Sequence, residues 1–478
     1  MGDTRTNPPP GHGWTAAWEL LLPAAGAPAR RRGHTLCAAL RVAVRSGRLA
    51  PGTRLPPSRE LARDLGVSRG LITSAYEQLT AEGYLKSTRG AGTWVGGAIQ
   101  APAPAAPENP APDHLLADFR PGTPDLALFP RTAWSAAQRR ALTRLPHHAL
   151  GYPDPRGLPE LRAELAALLA RRRGVAVDPG RIVVCSGVAQ ALTLLGLVLA
   201  GRQRGRPLIA VENPGSPEHE PLFTSIGCAV RRVPVDAEGM DPAALAASGA
   251  RAAVLTPAHQ FPTGIAYSAH RRAALLHWAR TTGALLVEDD YDGDFRYDRQ
   301  PIGALQGLDP EHVAYTGSVS KSLAPALRLG WLVPPESYAG EVVARKRTMD
   351  MGHPVLDQAL LAEFTARGDL DRQLRRCQRA YRERRDALLA ALDREFPGAE
   401  VTGVAAGLHA VVRLPRRYGP QPRFLARATA HRIALRPLSD YGAAVPGDGG
   451  VHLVLGYAHL PPARLMDSLH LLRRATRP

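Results

Sequence analysis

Lys321 is one of three lysines in a chain with 60 lysines and arginines, the others being Lys86 and Lys346. It sits in GSVSKSLAPALRLGW (317–331), among Ser318, Ser320 and Ser322, with Arg328 seven residues on. A lysine amine forms a Schiff base with an aldehyde cofactor, and nearby hydroxyls and a guanidinium fork suit that cofactor's phosphate. Alone, such a lysine would read as a surface residue of a polar loop. Three other segments argue otherwise. LLVEDDYDGDFRY (285–297) is an apolar run ending in acids, where α/β sheets place ligand-binding groups, and an Asp buried there holds a pyridine nitrogen protonated. TPAHQFPTG (256–264) is a strand end with a Pro-Gly turn, and CSGVAQAL (185–192) leads from a strand through Ser-Gly into a helix whose free N–H groups suit a phosphate.

The elements that must position these residues alternate in type. Short apolar runs at 181–185, 207–212, 252–256, 284–289 and 314–318 read as strands, and Leu158–Arg173 and Ala269–Thr281 between them as helices. That alternation predicts a mostly parallel, doubly wound sheet. A strongly basic helix around Arg367–Arg394 and a final α+β part follow. Upstream, residues 98–117 are rich in proline and read as a linker, semi-rigid and partly polyproline II. Residues 1–29 form an N-terminal extension with an apolar patch at Trp14–Leu22. Residues 30–97 form a compact basic unit, and 118–478 the large domain. At 478 residues the chain exceeds one ordinary core.

The charge excess is +17, and +8 of it lies between Arg30 and Gly97. Positive charge so concentrated favours a polyanion. Within that stretch, a helix over roughly His34–Ser46 precedes a helix-turn-helix and a wing. Ser58 is read as the N-cap of Arg59–Leu65, and Ser68 as the N-cap of the next helix, with Leu71, Ala75 and Leu79 as its apolar stripe. Ser68, Arg69, Gly70 and Thr73 are left at the helix end that would enter a major groove. Tyr84–Thr88 and Thr93–Val95 would be the wing strands, turning at 89–92. No long apolar run or leader pattern appears, and the four cysteines are scattered, which predicts a cytoplasmic protein without a membrane span, disulfides or a metal site.

The stretches PGTRLPPSRELA, LGVSR, AYEQLTAEGYL and GAGTWV resemble the GntR class of winged helix-turn-helix domains. That resemblance implies DNA contacts by Arg59, Ser68 and Arg69, with Arg54, Thr73, Arg89 and Gly90 flanking. From Asp118 on, the quoted motifs with GYPDPRGLPELRAELAALLARRRGV (151–175) and ENPG (212–215) resemble a fold-type I aminotransferase domain. The whole chain therefore resembles the MocR subfamily of GntR regulators, whose architecture joins a winged helix-turn-helix to an α/β aminotransferase-like domain.

The resemblance implies a pyridoxal 5′-phosphate cofactor. Lys321 would form the internal aldimine, Asp289 would pair with the pyridinium, and Tyr291 would bond the ring oxygen. Ser318, Ser320, Arg328, Val188 and Ala189 would hold the phosphate, and His259 and Gln260 would line the pocket. It also implies a homodimer, double-stranded operator half-sites as partner, and PLP, an amine or an amino acid as effector, with vitamin B6 or amine metabolism under control.

Two positions depart from the family pattern. Ser216 replaces a tyrosine that would stack on the cofactor ring. Val454, in VHLVLGYAHL (451–460), replaces an arginine that would clamp a substrate carboxylate, leaving Arg436 or Arg432 as substitutes. Val454 argues for weak or absent transamination, hence for a regulator over an aminotransferase with an accessory DNA-binding domain. The intact Lys321, Asp289, Tyr291 and Arg328 argue against a scaffold that has lost its cofactor.

Overall fold

The computed structural model describes residues 26–88, 91–97, 115–202, 205–298, 302–444 and 447–476. Most of the expected N-terminal extension, most of the expected linker, and Arg89 and Gly90 lie outside them. The chain divides into two compact units between residues 111 and 112.

The first unit contains α1 (Arg32–Arg45), β1 (Arg54–Leu55), α2 (Ser58–Asp64), α3 (Arg69–Ala81), β2 (Leu85–Thr88) and β3 (Gly92–Val95). The strands form an antiparallel sheet in the order β1-β3-β2. Ser68 caps α3, its hydroxyl accepting from the Leu71 N–H at 3.3 Å. Ser58, expected to cap α2, is instead its first residue, behind Pro57, and no side chain caps that end. Proline preset at φ near −65° makes this entry without a cap. The buried face of α3 is Ile72, Ala75, Tyr76 and Leu79, with Leu71 only half-buried. The stripe therefore runs partly through other residues than the Leu71–Ala75–Leu79 series. The Tyr76 hydroxyl donates to the Pro56 carbonyl at 3.1 Å, and Arg41 on α1 grips Glu82 with two bonds of 2.7 and 2.6 Å, which sets the rotation of α3.

The second unit is built on an eight-stranded sheet. Its strands are β5 (Val183–Cys185), β6 (Leu208–Asn213), β7 (Ala229–Asp236), β8 (Gly239–Met240), β9 (Ala252–Leu255), β10 (Leu285–Asp289), β11 (Val313–Ser318) and β12 (Gly330–Val333). Their order is β5-β12-β11-β10-β9-β6-β7-β8, with β12 and β8 antiparallel to their neighbours and the five strands β11 to β7 mutually parallel. The central strands are apolar on both faces because helices cover both sides. Leu285 and Val287 of β10 pack with Leu192 and Leu195 of α4 (Val188–Arg202), and Leu286 packs with Leu275 and Leu276 of the helix Ala269–Thr282. A short helix, α5 (His219–Ser225), follows β6.

The C-terminal part carries the long helix α6 (Asp369–Glu395) and an antiparallel sheet of β13 (Glu400–Thr402), β14 (His409–Leu414) and β16 (Val451–Gly456). The stripe Leu370, Leu374, Cys377, Tyr381 and Leu388 on α6 is buried. A two-residue strand, β4 (Ala117–Asp118), pairs with β15 (Ile433–Ala434). Ala117, read from sequence as linker, thus belongs to this sheet; its partner lies more than 300 residues away, beyond the reach of a local pattern. All four cysteines are buried and free. Among the described residues no helix is long and apolar enough to cross a membrane.

Candidate functional site

The parallel strands deliver their carboxyl ends to one edge of the sheet, and a cavity of about 930 Å³ opens there. Lys321, Asp289, Tyr291, Ser216 and Arg436 all line it. The loop carrying Lys321 is held by α6: the Tyr381 hydroxyl donates to the Lys321 carbonyl at 3.3 Å, and Gln373 Nε2 to the Ser322 carbonyl at 3.0 Å. Lys321 Nζ donates to the Gly122 carbonyl at 2.5 Å. Burial lowers its pKa, with the carboxylates of Asp292 and Asp289 opposing that shift.

The acidic run after β10 separates into distinct tasks. Asp290 is locked by Arg173 at 2.6 Å and by the Tyr315 hydroxyl at 2.5 Å. Asp294 pairs with Arg172 at 2.8 Å, and Asp292 meets His259 Nδ1 at 2.9 Å. Asp289 remains. Its Oδ1 is buried with no hydrogen-bond partner, and its Oδ2 lies 3.8 Å from His219 Nε2. Buried polar atoms are normally satisfied, so this oxygen fits a cationic N–H donor brought by a ligand.

Tyr291 is pinned from behind. Its hydroxyl lies 3.0 Å from His259 Nδ1, and burial, then Asp292 and Asp289, push its pKa well above the usual value. His409, stacked obliquely 5.1 Å from His259, has its pKa pulled down to about 3 by burial and by that neighbour. His259 and Gln260 are not among the cavity-lining residues. Both are buried, and Gln260 spends its amide on the Pro214 and Phe261 carbonyls and on Thr263. The turn needs those bonds, so Gln260 faces inward rather than toward a ligand.

The segments around Ser318, Arg328 and Val188 meet through sheet register. Ser318 pairs with Gly330, and Gly330 with Cys185, so three adjacent strands end side by side. Arg328 is left-handed (φ 51°) and donates to the Ser186 carbonyl. Gly187 has φ 89°, and a Cβ there would lie 2.9 Å from the Arg328 guanidinium, so glycine leaves the space the arginine uses. Helix α4 begins at Val188, so the Val188 and Ala189 N–H groups have no acceptor within the helix. The Ser320 N–H lies 3.4 Å from Ser318 Oγ.

Val454 is fully buried in β16, but its N–H donates to the Arg436 carbonyl at 2.9 Å, which brings Arg436 to the cavity wall. Arg432 is not among the lining residues. Sequence reasoning missed several lining groups: His219 on α5, Arg120, Glu218, Asp440 and Tyr441. No motif marks them, and their approach depends on tertiary folding.

In the first unit a groove of about 1090 Å³ lies between α3 and the wing. Arg54, Arg69 and Thr73 line it, with Ser58, Ser87 and Thr93. Arg54 lies over the Trp94 ring at 5.9 Å and donates to the Ala91 carbonyl at 2.9 Å, while Arg59 and Ser68 are exposed outside the groove lining.

The model for bacterial regulatory proteins of the gntR family matches residues 33–95, and that for aminotransferases of class I and II matches residues 122–449. The chain is similar to the HTH-type pyridoxine biosynthesis transcriptional regulator PdxR of Corynebacterium glutamicum, 35% identical over 419 residues, 86% of this chain and 89% of that protein. It is similar to the probable rhizopine catabolism regulatory protein MocR of Rhizobium meliloti, 32% identical over 463 residues, 91% and 92% of the two chains. Among solved structures it resembles LysN, the α-aminoadipate aminotransferase of Thermus thermophilus complexed with N-(5′-phosphopyridoxyl)-L-leucine. That match has a TM-score of 0.66 and 29% identity over 76% of this chain and 92% of that one.

Proposed function

Because the chain belongs to the MocR type of GntR-family transcription regulators, we propose that it senses its cofactor, or an amine captured beside it, and passes that state to DNA. It is a DNA-binding regulator with an aminotransferase-like domain, and its cofactor is pyridoxal phosphate. When bound, that cofactor supplies an aldehyde that captures primary amines and an electron-withdrawing ring. The observation that carries the reading is the buried, unpartnered Oδ1 of Asp289, a residue that lines the same cavity as Lys321.

In this reading Lys321 holds the cofactor covalently and Asp289 keeps a proton on the pyridine nitrogen. Tyr291 donates to the ring oxygen, with His259 positioning it from behind. Arg328, Ser318, Ser320 and the first N–H groups of α4, at Val188 and Ala189, hold the phosphate. Gln260 shapes the turn without touching the ligand. Arg54, Arg69 and Thr73 face DNA from the groove, and Arg59 and Ser68 from its approach, with Arg89 and Gly90 kept as further contacts on the strength of the family resemblance alone. A ligand shifts DNA affinity only by binding two conformations unequally. Control of genes for cofactor synthesis follows from likeness to the pyridoxine regulator, and control of amine metabolism is the second reading.

A second copy completes the assembly in this reading. Tyr152 is 87% exposed, and Leu150 and Met351 are exposed near it, where Gly352 packs against Pro153. An apolar surface of this kind is a docking face. Two copies present two winged helices to two operator half-sites.

The deciding experiment is the absorption spectrum of the purified chain with pyridoxal phosphate. A visible band that Lys321→Ala abolishes supports the reading, and an unchanged band in that variant rejects Lys321 as the anchor.

A further inference from the structure

We infer that the cavity beside Lys321 accepts an amine without a carboxylate, and that Glu218 selects for its positive charge. The inference rests on the cofactor reading above and concerns what binds beside that cofactor.

Four carboxylates line the cavity, those of Asp118, Glu218, Asp289 and Asp440, against the guanidinium groups of Arg120 and Arg436 and the amine of Lys321. The cations are already engaged. Arg120 grips both oxygens of Asp118, with Nε at 2.9 and 3.2 Å and Nη2 at 2.6 Å. Arg436 Nη1 meets Asp440 Oδ2 at 3.2 Å. Lys321 is the covalent anchor, and Asp289 belongs to the pyridine nitrogen. What remains is Glu218, exposed at the cavity rim and without an ion-pair partner among the described residues.

An amino-acid ligand brings a carboxylate that needs a cation. At β16, Val454 offers none and is fully buried. Arg436 is the remaining candidate, and its pair with Asp440 is half-exposed and therefore weak. Breaking that pair leaves the Asp440 charge beside the incoming carboxylate, so the repulsion is not removed. Glu218 adds a second like charge. An amine lacking the carboxylate meets neither, and its own charge is attracted to Glu218.

The pair 1,5-diaminopentane and L-lysine differs by one carboxylate and tests this by calorimetric titration of the full chain loaded with pyridoxal phosphate. The diamine is expected to bind at least about tenfold more tightly, a modest factor for like charges that share one cavity. Glu218→Gln should shrink that ratio, and Asp440→Asn should strengthen L-lysine binding by freeing Arg436. L-lysine binding as tightly as the diamine, or neither ligand binding to protein that carries the cofactor band, overturns the inference. A ratio unchanged in both variants overturns it as well. A wild-type chain without any cofactor band instead removes the reading beneath it, which is a separate result.

Discussion

The Tyr291 hydroxyl stands 3.0 Å from His259 Nδ1, and the same nitrogen stands 2.9 Å from Asp292 Oδ2. One ring nitrogen either carries a proton or accepts one. With its proton directed at Asp292, His259 offers Tyr291 no acceptor, and the phenol proton has Asp292 or the cavity to turn to. Asp292 is buried at 3% exposure, so its charge calls for that proton. The pair therefore fixes the Tyr291 hydroxyl at the cavity wall, where the proposed reading has it donate to the ring oxygen of the cofactor. Tyr291→Phe should weaken pyridoxal phosphate binding about tenfold, the size of one well-placed hydrogen bond. His259→Ala should act in the same direction and less strongly. Spectrophotometric titration measures both, and wild-type affinity in Tyr291→Phe would remove the hydroxyl from the site.

Asp289→Ala should weaken cofactor retention far beyond tenfold. Removing one partner of a buried ion pair costs roughly 3–5 kcal/mol because the other charge is left uncompensated. Asp290→Ala is the informative comparison, since Asp290 is spent on Arg173 and Tyr315 and should affect folding stability more than cofactor affinity. Equal cofactor affinity in wild type and Asp289→Ala would place that carboxylate elsewhere in the mechanism.

Amino transfer should be slow or absent. Val454 leaves β16 without a cation at the cavity, and Ser216 brings no ring to cover the cofactor. Mixing the loaded chain with an amino acid and a keto acid should give no multiple turnover near ordinary enzyme rates, on the order of 1 per second or faster. Sustained turnover at that rate would promote the aminotransferase reading.

The lysine loop, the acidic strand end and the Ser-Gly helix start were legible because each is a local signature at a strand terminus. The assignment of individual acids was not. Asp289, Asp290 and Asp292 are near neighbours in sequence, and only the folded positions of Arg173, Tyr315 and His259 distinguish them. His219 was illegible for a related reason: it opens a seven-residue helix too short to show a period, and its place beside Asp289 is set by β6 and β10. The strand from Ala117 to Asp118 depends on residues 433–434, a contact without any local trace. In α3 the register was nearly readable, but Tyr76 turns the buried face through its bond to Pro56.

His409 predicts a pH dependence of stability. Its pKa falls from 6.5 unfolded to about 3 folded, through burial and the neighbouring His259. A depressed pKa means the folded chain holds the neutral ring. The stabilisation is complete above pH 6.5 and is lost as pH falls toward 3. At about pH 5 the loss should be on the order of 2 kcal/mol, since each unit between the unfolded pKa and the solution pH is worth about 1.4 kcal/mol. Thermal unfolding of wild type and His409→Gln from about pH 8 to about pH 5 checks this, because the variant should show a flatter profile. Parallel profiles would mean that another group titrates.

DNA binding should be steeply salt-dependent and should reside in the first unit. The +8 excess between Arg30 and Gly97 supplies phosphate attraction, and α3 presents Arg69 and Thr73 to the groove beside the wing. Each neutralised phosphate releases counterions, so six contacts imply about a thousandfold loss between roughly 50 and 200 mM salt. Arg69 discriminates two modes of contact. If it reads a guanine edge, Arg69→Ala should cost about 1–3 kcal/mol and relax specificity at one base position. If it touches phosphate alone, affinity should fall evenly across sequences and the salt slope should become shallower. Arg54 is a useful contrast, because its guanidinium is partly committed to the Ala91 carbonyl and lies over Trp94. Arg54→Ala should therefore loosen the wing and weaken binding without changing base preference. A salt titration on fragments from the promoter beside the protein's own gene measures all three. A flat salt response, or full affinity after deletion of residues 1–97, would move DNA recognition out of this unit.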